Sequence, residues 1–239
     1  MSSIIQVIDG LQRKSERENA NEFISLGDDG WSAFPGTWTY ASATTMTITG
    51  DYRTWFPTGT KIKLTQTTVK YFYAVAVSYS APNTTVTVGG GSDYSLANAA
   101  ITAPNYSYQA SPRGFPTGFA WALVPGGFVG GSEPTGVVAR FAMQGAVTTV
   151  WVYMPNTGVS NTTTITVGLP TGITAKNSGE NYHGGAWRLS DNGASLATAS
   201  VCILPAGGAT ISIYKDAGAG GFTTALGKRA SINITFEAA

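Results

Sequence analysis

The residues that could perform acid–base chemistry are few and lie far apart in the sequence. Hydrolysis of a glycosidic bond needs two carboxyl groups held at a fixed separation. The candidates in or beside the predicted β regions are Asp28, Asp29, Asp93, Glu133, Glu180, Asp191 and Asp216. Asp191-Asn-Gly and Lys215-Asp-Ala-Gly are turn-forming sequences, and no local pattern pairs any two of the carboxylates. We therefore expect no catalytic pair and predict that the chain is not an enzyme.

Nucleophilic and metal chemistry are limited by the presence of one cysteine and one histidine. A single Cys202 permits no intramolecular disulfide and no cysteine-based zinc site. A single His183 removes most support for a Ser-His-Asp triad or a histidine-rich metal site. Cys202 stands in the apolar run 200–204, where a small buried side chain is expected. We expect no catalytic residue, no metal and no cofactor.

One polar and aromatic segment, residues 179–192, has the composition of a ligand-binding loop. Aromatic rings can stack on the C–H faces of sugars, while amide and carboxylate groups hydrogen-bond to the sugar hydroxyls. The predicted receptor- or glycan-binding residues are Tyr182, His183, Trp187, Arg188, Asp191 and Asn192. The alternative is a structural loop in which Trp187 enters the local core and His183 hydrogen-bonds across a subunit interface.

The surface around these residues must be nearly uncharged. Charged residues make up 11% of the 239, and the formal net charge is +1, whereas a typical soluble domain has about 25% charged residues. A hydrophobic fraction of 43% argues against intrinsic disorder. Low basic content argues against nucleic-acid binding, which needs clustered Lys and Arg. Without a secretion signal or a long apolar run, we expect folding in a reducing cytoplasm and no membrane insertion.

Charge is concentrated in residues 1–30, which contain six acidic and three basic side chains. Apolar residues near the start of this segment fall at spacings typical of a helix. They are Ile4, Ile5, Val7, Ile8 and Leu11. The segment is predicted to be a short amphipathic helix or an extended arm without a core of its own. It either packs on its own domain or attaches the subunit to a larger assembly.

From Trp31 onward, apolar and polar residues alternate with the period of two that predicts half-buried β-strands. In the strand 61–65, Ile62 and Leu64 share one face and the two lysines share the other. The strand 70–79 has aromatic and β-branched residues on both faces. It is therefore predicted to be a central strand that is covered on both sides or that faces a partner subunit.

A Pro-, Gly- and aromatic-rich stretch, residues 103–131, separates two regions of β pattern. We expect its earlier part to pack on the first region and place a domain boundary near residues 131–134. The prediction is an attachment arm at 1–30, a first β domain at 31–131 and a C-terminal head at 132–239. The fold class is all-β: a small barrel or sandwich, followed by a jelly-roll-like β-sandwich.

Two blocks of the sequence carry a recognisable pattern. In the first block, residues 30–119, the pattern lies in 37–51, which ends in Thr-Met-Thr-Ile-Thr-Gly-Asp, and in 59–73 and 92–101. In the second block, residues 136–239, it lies in 139–145, in 164–170 and in Ile-Asn-Ile-Thr-Phe-Glu-Ala at 232–238. These blocks resemble structural proteins of tailed bacteriophages, particularly tail-fibre and other receptor-binding appendage proteins. The resemblance implies a virion component, commonly trimeric, whose N-terminal arm joins the particle and whose distal head contacts the host surface. It implies no catalytic residue.

We expect a structural virion protein, assembled in the host cytoplasm as a homotrimer. It would attach to other virion proteins through its N-terminal arm and contact a host cell-surface glycan or protein through its head. The chain is short for a long fibre and has no shaft repeat, so a short spike and a tail-tip or baseplate subunit are equally compatible. The alternatives are a head-decoration or head-fibre protein and a stand-alone carbohydrate-binding module.

Overall fold

The computed structural model describes residues 29–123, 125–128, 130–160, 162–196, 200–224 and 226–239. Regular structure in these ranges is almost entirely β, with one 3-10 helix at Arg53–Trp55. The strands form two antiparallel sheets, so the predicted all-β barrel or sandwich class is confirmed. No helix in the described ranges is long and apolar enough to span a membrane. The predicted arm, with Ile4, Ile5, Val7, Ile8 and Leu11, lies outside the described residues except for positions 29 and 30.

The smaller sheet contains the first seven strands in the order β1-β7-β4-β5-β6-β3-β2. These strands are β1 Ser32–Ala33, β2 Trp38–Ser42, β3 Thr45–Thr49, β4 Lys61–Gln66, β5 Thr68–Ser80, β6 Asn83–Gly89 and β7 Thr102–Ser107. The central strand is β5, as predicted. Phe72 and Ala74 point into the core of this sheet, while Tyr73 and Val75 join the core of the other sheet. Both faces of β5 are therefore covered, because side chains alternate across a strand.

The larger sheet has the order β12-β16-β15-β13-β17-β10-β9-β8, with β11 paired to β17 and β14 paired to β13. Its strands are β8 Phe119–Ala120, β9 Val138–Gln144, β10 Val147–Tyr153, β11 Gly158–Ser160, β12 Ile165–Gly168, β13 Tyr182–Asp191, β14 Ala194–Ser195, β15 Ser200–Leu204, β16 Thr210–Tyr214 and β17 Leu226–Glu237. The two ends of this order meet, because Gly126 and Thr166 form an antiparallel bridge between the segment after β8 and strand β12. The sheet therefore curls around its own core.

Period-two alternation builds the core of the larger sheet. In β10, Val150 and Val152 are fully buried, whereas Val147, Trp151 and Tyr153 point outward and are 37–51% exposed. In β17, Ile232, Ile234 and Phe236 pack inward in the same way. One face of the central strands is thus apolar core, and the other face is available for contact with solvent or a ligand.

An aromatic cluster joins the two sheets. Phe119, which is fully buried, has its ring centroid 5.2 Å from Tyr73 and 5.8 Å from Phe141. Phe115 also contacts the Tyr73 ring, at 5.1 Å. The aromatic stretch before the predicted boundary therefore packs against both sheets. The proposed division at residue 131 stays a prediction.

Candidate functional site

The segment 179–192 is mainly a strand, and the prediction of a loop there is wrong. Residues Tyr182–Asp191 form β13, which pairs with β15 on one side and with β17 on the other. Only the end of the segment is a turn: Asn192 and Gly193 both have positive φ and connect β13 to β14. This agrees with the turn predicted from the sequence Asp191-Asn-Gly.

Gly184 and Gly185, in the segment predicted to be a loop, both lie within strand β13. A Cβ atom on Gly184 would lie 2.6 Å from the Asn233 carbonyl oxygen and 2.7 Å from Cys202 Sγ, so only glycine fits between them. A Cβ on Gly185 would meet nothing within 4 Å. Gly184 thus permits close packing on the inner face, and Gly185 leaves its position on the outer face without a side chain.

The outer face of the larger sheet carries an unusual concentration of exposed apolar side chains. Of the nine large hydrophobic residues exposed in the described ranges, five lie on this face, which we call the aromatic face. They are Val138, Val147, Trp151, Tyr153 and Trp187. Trp187 is 46% exposed, so it does not enter the local core. Exposed apolar residues that cluster in this way typically mark an interaction surface.

Strand register places two tryptophans on either side of Asn233 and Gly185. Asn233 of β17 lies opposite Trp151 on one side and opposite Gly185 on the other. Trp187 is two residues beyond Gly185 and therefore shares its face. From strand spacing and rise, the Cα atoms of Trp151 and Trp187 are about 12 Å apart. Gly185 and the exposed Asn233 lie between the strand positions of the two tryptophans.

Arg188 is fixed at the edge of the aromatic face. A register shift in the β13–β17 pairing follows Trp187, and Arg188 adopts the left-handed conformation there, with φ 54°. Its guanidinium lies 5.1 Å from the Tyr153 ring centroid and donates a hydrogen bond to the Tyr153 hydroxyl. The bulge thus directs Arg188 towards Tyr153, and the two side chains contact each other at the edge of the aromatic face.

The remaining predicted site residues are divided among three environments. His183 is exposed on the same face as Trp187, four positions away. Tyr182 turns inward, packs on the larger core and has its ring 6.1 Å from Phe236. Asn192 is exposed in the turn after β13. Of the six predicted residues, the structure brings only His183, Trp187 and Arg188 to the aromatic face.

Asp191 is a buried anchor and is not exposed to a ligand. It is 6% exposed, and its carboxylate accepts hydrogen bonds from the Thr223 amide at 2.9 Å and from the Thr223 hydroxyl at 2.9 Å. The ammonium group of Lys215 is 3.9 Å away. Lys228, which is fully buried, has its pKa lowered by desolvation, and the charge of Asp191 opposes this shift. Asp191 is therefore held inside the protein by Thr223, and its charge is favourable for the nearby lysines.

The polar groups of the aromatic face are neutral side chains, one ion pair and two arginines, Arg140 and Arg188. The Thr149 and Thr235 hydroxyls hydrogen-bond to each other at 2.9 Å. The Glu237 carboxylate forms an ion pair with the Lys176 ammonium group, 2.6 Å away, and this hydrogen bond raises the pKa of Lys176. Arg140 donates to the Gly118 carbonyl. Aromatic rings, hydroxyls, an amide and two guanidinium groups suit a ligand rich in hydroxyl groups.

Catalytic chemistry finds little support in the described residues. Cys202 is fully buried, as predicted, and desolvation raises its pKa to about 11, so a reactive thiolate is disfavoured. No group of three His, Cys, Asp or Glu side chains in the described ranges is arranged to hold a metal ion. The absence of an enzymatic activity and of a cofactor stays a prediction.

Trp151 and Tyr153 were not predicted as site residues, because packing is the default role of strand aromatics. The expectation that these two side chains are packed in the core is wrong, because Trp151 is 38% exposed and Tyr153 is 37% exposed. The signal was present in the strand 147–153, where Val150 and Val152 alternate with the two aromatics. Only the core-facing side of such a strand must be apolar, so aromatics on the other side mark an outward face.

No family model matches the chain, and no curated protein and no solved structure matches it either.

Proposed function

We propose that the chain is a structural subunit of a tailed-phage virion that recognises the host surface through the aromatic face. The proposal combines the sequence resemblance with one observation: five exposed apolar residues, among them Trp151, Tyr153 and Trp187, are gathered on one face of the C-terminal sheet. The antiparallel sheet is a rigid support for such a face. Attachment through residues 1–30 and a trimeric state are parts of the same proposal.

A hydroxyl-rich glycan is the receptor class that suits this face best. Sugar rings stack on tryptophan through their C–H groups and hydrogen-bond through their hydroxyls. Asn233 lies beside Trp151 and next to Gly185, and Trp187 is close by on the same face. The same observation favours the second candidate, a stand-alone carbohydrate-binding module. The two candidates differ in oligomeric state and in incorporation into particles.

Replacing the two tryptophans is expected to abolish surface recognition while the fold is kept. Stacking on a ring is worth roughly 0.5–1.5 kcal/mol beyond its burial, so Trp151→Ala and Trp187→Ala together should weaken binding by about 10-fold or more. Binding of the fluorescent protein to host cells and to their isolated surface polysaccharide measures this effect. Tyr79→Ala is the control, because Tyr79 is a similarly exposed aromatic, 37% accessible, on the smaller sheet.

Light scattering on the same variants separates recognition from self-association. We expect the wild-type protein and the double variant to form the same trimer. A double variant that becomes monomeric would show that the aromatic face joins copies of the chain, which would contradict its role in recognition. A wild-type monomer that binds the polysaccharide would instead support the carbohydrate-binding module.

A further inference from the structure

The cleft where the two sheets meet contains a buried lysine that no carboxylate neutralises. Lys61 is the first residue of β4 and is 3% exposed. Its ammonium nitrogen lies 5.9 Å from the Tyr73 ring centroid and 5.6 Å from that of Phe115. In the described part of the chain it has no ion pair and no hydrogen bond. Among the described residues, the contacts of this ammonium group are therefore with ring faces.

A buried charge without a counter-ion opposes folding. Water is removed from the ammonium group, and cation–π contact with two rings replaces only part of that hydration. Consistently, desolvation lowers the pKa of Lys61. Lys63, two residues along the same face of β4, lies over Trp31 at 4.6 Å and is paired with Asp29 at 3.5 Å. A residue that breaks a packing rule without local compensation is a candidate functional residue.

Two adjoining cavities open at Lys61. One has a volume of about 530 Å³ and the other about 320 Å³, and Lys61, Ala110 and Gln144 line both. The larger volume falls in the range of ordinary small-molecule sites. No acidic residue of the described ranges lines either cavity, so the field of Lys61 is not cancelled within them. An anion is the ligand class that matches this charge.

The other lining groups are neutral and can bind hydroxyls. Ser111, Thr117 and Gln144 line the cavities, and their side chains make no hydrogen bond to a described residue. Tyr108, 60% exposed, stands at the larger cavity. A single lysine supplies one positive charge, which balances a carboxylate but leaves a phosphate dianion uncompensated in a site of this burial. One carboxylate on a hydroxyl-rich molecule fits both the charge and the lining.

The cleft is continuous with the aromatic face. Val147 and Thr149, which line the smaller cavity, lie on the outward side of β10 together with Trp151. Thr149 is two residues from Trp151, a distance of about 7 Å along the strand. A saccharide chain that lies over Trp151 can therefore place a neighbouring sugar unit beside Lys61.

We propose that the inter-sheet cleft at Lys61 binds the carboxylate of an acidic sugar unit, so that the receptor is a uronate-containing glycan. The inference rests on the proposed recognition function and specifies its ligand class. Lys61 forms a charge-assisted hydrogen bond with the carboxylate, and the Ser111, Thr117 and Gln144 side chains contact the sugar hydroxyls. Binding supplies the counter-charge that the protein lacks.

The test compares polygalacturonate with its fully methyl-esterified form, which is neutral, by titration calorimetry on the full chain. Lys61→Met removes the charge and keeps most of the side-chain volume. We expect it to weaken binding of polygalacturonate by roughly 10- to 100-fold and to leave binding of the ester unchanged. Lys63→Met is the matched control, because it makes the same charge change on the same face of β4 and should have little effect.

Thermal unfolding distinguishes a lost ligand contact from a lost fold. Because Lys61→Met removes an unneutralised buried charge, we expect its unfolding midpoint to equal or exceed that of the wild type. Equal binding of the acid and the ester, or unchanged binding by Lys61→Met, would overturn the inference. Binding of neutral glycan alone, lost in Trp187→Ala, would overturn it while supporting the recognition function. Binding of the acid that depends on Lys61 but not on the tryptophans would support the cleft and contradict the aromatic face.

Discussion

Replacing Gly91 by alanine is expected to cost about 3 kcal/mol of unfolding free energy, as the sum of two effects. The first is backbone strain: Gly91 has φ 63°, and a left-handed conformation costs a residue with a Cβ about 1–2 kcal/mol. The second is a clash between the sheets. A Cβ at position 91 would lie 1.9 Å from the Ala120 carbonyl oxygen, and overpacking of this kind costs about 1–3 kcal/mol.

The contact at Gly91 fixes the first strand of the larger sheet to the smaller sheet. The Ser92 amide donates to the Ala120 carbonyl at 2.7 Å, and the Ala120 amide donates to the Asp93 carboxylate at 2.9 Å. A Cβ at position 91 would push Ala120 out of this pair of hydrogen bonds.

Gly145→Ala is the matched control for Gly91→Ala. Gly145 has φ 56°, but a Cβ there would meet nothing within 4 Å. It should therefore show the strain alone, about 1–2 kcal/mol. Urea unfolding of both variants gives the difference directly. Equal losses in the two variants would contradict a close approach of the sheets at Ala120.

Asp191→Ala is expected to destabilise the protein by about 3 kcal/mol, because it removes the charged acceptor of hydrogen bonds from Thr223, which are worth about 1.5–3 kcal/mol each. Lys228 is fully buried, and the charge of Asp191 acts on it. The same substitution removes the acceptor for the Thr223 amide and hydroxyl. We expect the folded fraction of this variant to bind its ligand normally, because Asp191 does not reach the aromatic face.

Two variants check the physical reason for the loss at Asp191. Asp191→Asn keeps an acceptor for Thr223 and removes the charge, so it should fall between the wild type and Asp191→Ala. Asp51→Ala breaks an exposed pair with Arg53, 2.7 Å apart, and should leave the unfolding midpoint almost unchanged. A small effect of Asp191→Ala, comparable with that of Asp51→Ala, would show that the Asp191 carboxylate does not anchor Thr223.

Much of the fold follows from alternation along single strands. Ile62 and Leu64 were predicted opposite the two lysines of the same strand, and both are fully buried in the smaller core. β5 was predicted to be covered on both faces, and Phe72 and Tyr73 enter different cores. These features depend only on the two-residue period of a strand, which the sequence shows directly.

The site was harder to predict because it depends on contacts between distant segments. The segment 179–192 was predicted to be a loop, yet Gly184 lies within a strand, and it must be glycine because Asn233 and Cys202 leave no room for a side chain. Lys61 and Lys63 are equivalent in sequence pattern. Only Lys61 is almost fully buried, because the Phe115 ring and residues of β9 and β10 pack around it. Tertiary packing from remote residues, and not local pattern, decides which lysine is left without a counter-charge.

Mass spectrometry of density-purified particles is the most direct test of the central claim, that the chain is a virion component. The particles are isolated from a lysate of cells that express the gene in its natural setting. We predict peptides from the chain at a fixed stoichiometry to the major virion proteins. Deletion of residues 1–20 is expected to leave soluble, folded protein and to remove these peptides from the particles. Particles that lack the wild-type chain, or that retain it at full stoichiometry after the deletion, would contradict attachment of the subunit through its N-terminal arm.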